Sequence, residues 1–122
     1  VIKSDYLTKQ QSIVRNTLKA LIESHAFIHN PANKAAVIEI TSKKLGITDP
    51  VAANDGYEDY VRRSDRNPSI SVEGLKNIQR FMKLRNPKIA DVNLERLIDE
   101  SLLRDLGKSG FMEQSFGGTA IR

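Results

Sequence analysis

Residues 10–31 read QQSIVRNTLKALIESHAFIHNP, and this stretch decides the class of the fold. Val14, Leu18, Leu21, Ile22 and His25 recur at steps of four, three, one and three, which places them on one stripe of a helix of 3.6 residues per turn. Ile13, Ala20 and Phe27 widen the stripe, so the helix, expected from about Gln10 to His29, has an apolar face broad enough for more than one neighbour. Its closing Asn30-Pro31 is one of four such pairs, with Asp49-Pro50, Asn67-Pro68 and Asn86-Pro87, at gaps of 19, 18 and 19 residues. An Asn or Asp oxygen accepts a hydrogen bond from the free amides of a first helical turn, and Pro fits the first helical position, where it needs no donor. The pairs therefore read as helix starts or sharp corners, and they divide the chain into blocks of one helix plus a connection.

Outward from that helix, Val1 and Ile2 resemble the tail of an apolar strand, and Ser4 or Asp5 caps a short turn through Tyr6 and Leu7. After Asn30-Pro31 comes a helix with Ala35, Val37, Ile38 and Leu45 as apolar positions, closed by Gly46 in the left-handed region. Asp49-Pro50 opens the next, through Tyr57, Tyr60 and Val61, and residues 62–69 form an extended, polar connection. Ser71 is a clear N-cap for a helix carrying Val72, Leu75, Ile78, Phe81 and Met82 on one face, with Glu73, Lys76, Arg80 and Lys83 opposite, ending by Arg85. A last helix is expected from Asp91 or Asn93 through Leu94, Leu97, Ile98, Leu102, Leu103 and Leu106, stopped by Gly107. Residues 111–122 are expected to be a flexible tail. The prediction is thus an all-α chain of about five helices over residues 1–110.

Composition narrows the function. The chain has 122 residues, 39% hydrophobic and 6% aromatic, with no Trp and no Cys, so its core is aliphatic and holds neither disulfides nor thiolate metal sites. No run approaches the roughly 20 apolar residues of a membrane span. The chain opens on Val1-Ile2-Lys3 with no leader pattern, so a mature or excised piece is expected. The formal net charge of +4 lies wholly after residue 61. Cations at Arg62, Arg63, Arg66 and from Arg80 to Lys88 offer a nucleic-acid reading, but they are interleaved with Glu73, Asp91, Glu95, Asp99 and Asp105 and lack aromatic partners for bases, so a solvated helical surface and no nucleic acid are expected.

Chemistry-bearing constellations are few. His25 and His29 stand four apart, as in zinc-binding helices, without the Glu, third His or Cys that would complete a site; the expected arrangement is a packed His25 and a surface His29, with no metal. The pairs Glu58/Asp59 and Asp99/Glu100 are neighbours in sequence and so diverge by about 100° on a helix, which is unsuited to a shared acid and base. Tyr57 and Tyr60, beside Arg62 and Arg63, are the candidate ligand-binding residues: phenol hydroxyls can donate to an anion and arginine adds charge. The alternative for these four is buried rings and solvated guanidinium groups. No catalytic residue and no cofactor is expected.

Several segments in order carry a resemblance. Phe27-Ile28-His29-Asn30-Pro31, Lys43-Lys44-Leu45-Gly46-Ile47, Tyr57 and Tyr60, Pro68-Ser69-Ile70-Ser71-Val72-Glu73-Gly74-Leu75, Phe81-Met82, and Leu97-Ile98-Asp99-Glu100-Ser101-Leu102-Leu103 together resemble the C-terminal part of substrate-binding proteins of ABC importers. The branch is that of binders of nitrate, sulfonates, taurine and thiamine-pyrimidine precursors. The resemblance implies a two-lobed periplasmic or lipid-anchored α/β protein more than twice this length, with a small-molecule solute in its cleft and an ABC permease as partner. This chain would be the helices that clad its lobe sheets. Helices shaped to cover a sheet leave an apolar stripe bare without it; at ~25 cal/mol per Å², about 400 Å² uncovered forfeits roughly 10 kcal/mol, so self-association of the piece is expected. A free-standing helical protein-interaction domain is the second reading.

Overall fold

The computed structural model describes residues 2–118, and among them the fold is all-α with no strand. The helices are α1 (Ser4–Lys9), α2 (Gln11–His29), α3 (Lys34–Leu45), α4 (Pro50–Arg63), α5 (Val72–Met82), α6 (Ser101–Lys108) and α7 (Phe111–Ser115), with 3₁₀ turns at Pro31–Asn33, Pro87–Asp91 and Leu94–Leu97. Five of the seven α-helices have seven residues or more. No helix among the described residues is long and apolar enough to cross a membrane.

The Asx-Pro corners work as the residue chemistry dictates. Asn30, Asp49, Asn67 and Asn86 each accept, through a side-chain oxygen, the N–H of the residue two positions on: Ala32, Val51, Ser69 and Lys88. Three of these corners start a helical turn, while Asn67-Pro68 shapes the extended connection and also accepts from the Ser69 hydroxyl. Gly46 closes α3 at φ 69°, a conformation in which a Cβ would be strained. Ser71 caps α5 by accepting from the Gly74 N–H at 3.0 Å.

The core lies where α6 and α7 pack on α2. Ile22, Leu106 and Met112 are buried together, with Leu18, Leu103, Phe111 and Phe116 packed around them, and Leu106 is only 1% exposed. Farther along α2, Ala26 and His29 are buried; across α3 and α4, so are Val37, Ala53 and Tyr57. Arg15 pairs with Asp105 to tie α2 to α6, and Lys34 pairs with Glu58 to tie α3 to α4.

Four expectations are corrected. Leu21, placed on the buried stripe of α2, is 61% exposed, because the face that packs runs through Ile22, Ala26 and His29. The single last helix is instead a 3₁₀ turn at Leu94–Leu97 and then α6: Ile98 is extended, and the Asp99 carboxylate accepts the Ser101 N–H, restarting the helix there. Gly107 does not stop α6; the turn falls at Gly110, whose φ of 74° lets α7 fold back on α6 and α2. The expected tail therefore begins as a helix, with Met112 in the core; residues 119–122 lie outside the described residues, as does Val1 of the proposed strand tail.

From residue 58 to residue 101 no side chain is buried. This arm contains α5, the helix with a clearly divided apolar and charged face, yet Ile78, Phe81 and Met82 stand open, Phe81 at 71%. Its apolar edge is only partly covered: Gln79 Nε2 donates to the Ile89 and Val92 carbonyls, fastening α5 to the following 3₁₀ turn. The whole chain presents 9578 Å² of accessible surface. A compact monomer of 13.7 kDa would present about 6,600 Å². The difference is spread over bare apolar faces rather than over polar loops alone, since Ile13, Leu21, Phe27, Ile40 and Leu45 are also exposed.

Candidate functional site

The polar side chains that the fold brings together lie where the C-terminal half of α2 meets the end of α4. One helical turn separates His25 from His29, and their imidazoles meet edge to face with ring centres 4.4 Å apart. His25 Nε2 lies 2.8 Å from the Asp65 carbonyl, which can only accept, so this nitrogen carries the proton. The Nδ1 atom of neutral His25 is then free to accept from the Tyr60 hydroxyl at 3.1 Å. Ser64 donates to the Tyr60 carbonyl at 2.6 Å, leaving its oxygen to accept from His29 Nε2 at 3.0 Å. Phe116, from beyond α7, sets its ring edge to face against both imidazoles at 5.8 and 6.1 Å, and the Arg66 guanidinium stands over that ring at 5.8 Å.

The expected roles of the two histidines are reversed. His29 is the buried one, because it continues the Ile22–Ala26 face; His25 is partly exposed beside Tyr60. Burial pushes the His29 imidazole below the ordinary histidine value, and the neighbouring His25 and Arg66 push it in the same direction. No group of three or more His, Cys, Asp or Glu side chains among the described residues is placed to hold a metal ion.

Tyr57 and Tyr60 both bridge α4 to α2, but with different surroundings. The buried Tyr57 donates its hydroxyl to the Ile28 carbonyl at 3.0 Å, and Lys34 lies over its ring at 5.5 Å. Tyr60 is 45% exposed and engages His25. Arg62 and Arg63 share the Asp59 carboxylate, at 2.5 and 2.7 Å. These hydrogen bonds, more than either net charge, hold the Asp59 carboxyl below its usual range. The cluster thus consumes its donors and acceptors internally, as a structural tie does, with the Tyr60 edge facing solvent.

A second feature is apolar. Phe27, Ile28, Val37 and Ile40, with Glu23, Ser24 and Thr41 at the margin, line an open groove of about 390 Å³ between α2 and α3. Ser64 and Phe116 lie outside the sequence reading of the site, and His29, expected at the surface, is buried in it. For His29 the signal was present in its spacing from Ile22 and Ala26; the pairing with Phe116 and Ser64 joins segments too far apart in the chain for any local pattern to show. No family model, curated protein or solved structure matches the chain.

Proposed function

We propose that the chain is the helical C-terminal segment of the solute-binding component of an ABC importer, periplasmic or lipid-anchored, which acts by binding rather than by catalysis. The observation that carries this reading is the bare apolar face of α5, with Ile78, Phe81 and Met82 open and nothing buried from residue 58 to residue 101. An amphipathic helix exposing such a face is matched to a surface outside the described fold. The groove along Phe27, Ile28, Val37 and Ile40 supports the same conclusion for the C-terminal half of α2. The motif order from Phe27 to Leu103, which resembles the helices laid on the lobe sheets of those binding proteins, supports those sheets as the surface covered. The solute would then belong to the nitrate, sulfonate, taurine or pyrimidine-precursor class, and an ABC permease would receive it. In this reading Tyr60, exposed at its edge, borders the cleft, while Tyr57 holds α4 on α2.

A free-standing interaction domain is the second reading, and the enclosed Ile22–Leu106–Met112 cluster favours it, because that part needs no outside cover. Mass decides between them. An antibody raised against residues 71–88 should detect a native gene product more than twice the 13.7 kDa of this chain. A native product of the chain's own mass overturns the importer reading. In the larger product, Tyr60→Phe should weaken binding of nitrate, taurine or a short alkanesulfonate severalfold, whereas Tyr57→Phe should lower the melting temperature and leave affinity in place.

A further inference from the structure

The histidine cluster gathers four pieces of chain that sequence separates: α2 through His25 and His29, α4 and its cap through Tyr60 and Ser64, the connection through Asp65 and Arg66, and the end of α7 through Phe116. Every polar contact in it suits neutral imidazoles. The charged and titratable groups around His29 are His25 on its own helix, Tyr60 from α4, and Arg66 from the connection; the α7 end contributes only the apolar Phe116 ring among the contacts described. The Asp65 carboxylate, the nearest acid in the connection, accepts from the Asn67 N–H. A proton on His29 would therefore put positive charge into a buried position beside another imidazole and a guanidinium, and among the described residues no carboxylate is hydrogen-bonded to either ring.

We propose that the His25–His29 pair is an acid-sensitive latch that holds residues 111–118 against α2 at neutral pH and releases them on acidification. The direction follows from linkage. His29 in the folded chain takes up a proton less readily than the ordinary value of 6.5. The released chain binds more protons over that range, so the stabilisation present above about 6.5 is lost as pH falls through the lower folded-state value. Phe116 is the element set to respond, because it touches both rings and is followed by Gly117 and Gly118, both at positive φ.

The test is an NMR titration of the chain from about pH 8 to about pH 5, the interval in which histidines change charge. It follows the imidazole signals, the Phe116 ring signals, and exchange of the Phe116 and Gly118 amides, which are bonded to the Met112 and Glu113 carbonyls. After correction for intrinsic exchange chemistry, those amides should exchange severalfold faster at the acid end, with the same midpoint as the His29 ring. His29→Gln keeps an amide donor for Ser64 without a titrating proton and should remove the acceleration. Equal acceleration in His29→Gln overturns the latch. Should that variant fail to fold, the unmodified chain still decides: His29 gaining its proton while Phe116 and both amides stay unchanged overturns it as well.

Discussion

The α2–α6–α7 cluster and the α5 arm are built from similar apolar residues at similar spacing, yet one encloses Leu106 almost completely and the other buries nothing. The difference lies in what stands opposite. Ile22 on α2 meets Leu106 and Met112 because Gly110 turns α7 back onto α6, so two short helices supply the second wall. Opposite α5, among the described residues, stand the 3₁₀ turns at Pro87–Asp91 and Leu94–Leu97, which reach the Gln79 edge and leave the Ile78–Phe81–Met82 face exposed. Amphipathic pattern specifies which side of a helix seeks cover; it does not supply the cover.

The largest effect should come from breaking the closed side. Leu106→Ala removes the most enclosed side chain and should cost ~2–5 kcal/mol in urea unfolding, whereas Phe81→Ala in the arm should change stability by less than ~0.5 kcal/mol. Equal costs would mean that the arm is not bare in solution. Next comes the arm's behaviour toward other surfaces. The chain should show a concentration-dependent mass by light scattering, and Ile78→Asp with Phe81→Asp should bring it to a monomer without lowering its melting temperature; a monomer before substitution would sink the idea of an uncovered face. Local order in the arm depends on its cap, so Ser71→Ala should destabilise α5 by about 1 kcal/mol, read as lost helical circular dichroism. The smallest effect is expected at Asp59, a half-exposed surface carboxylate: Asp59→Asn should leave the melting temperature at pH 7 unchanged despite losing both arginine partners. Its lowered carboxyl matters only in acid, since the pairing present above the ordinary value of 3.8 is lost as pH falls through the lower folded-state value.

The first two-thirds of the fold was legible because its boundaries are chemical. Asn30, Asp49, Gly46 and Ser71 act within two or three residues of themselves, so their roles can be read without knowing the tertiary structure. The last third was misread where competition decides. Leucines from Leu94 to Leu106 suit one helix, but Asp99 capturing the Ser101 N–H breaks it, and a glycine tolerated inside α6 looked like its end. Phe111-Met112 reads as tail because two apolar residues carry no period, although flanking glycines at Gly110 and Gly117 mark a short helix between turns. The tyrosines were placed on the right helix. Their separate environments follow from α2 passing Tyr57 at Ile28 and Tyr60 at His25, a crossing that sequence spacing does not encode.

The side-chain bonds at Asn30, Asp49, Asn67 and Asn86 close over two residues, and the adjoining rings fix one torsion each. Bends made this way are specified before any distant segment arrives. The exposed arm consequently meets whatever covers it with its elbows at Asn67 and Asn86 already set, and a part of the disorder that docking would surrender has been given up beforehand. Replacing Asn67 and Asn86 would loosen the approach to a partner while leaving every residue of the mating face intact.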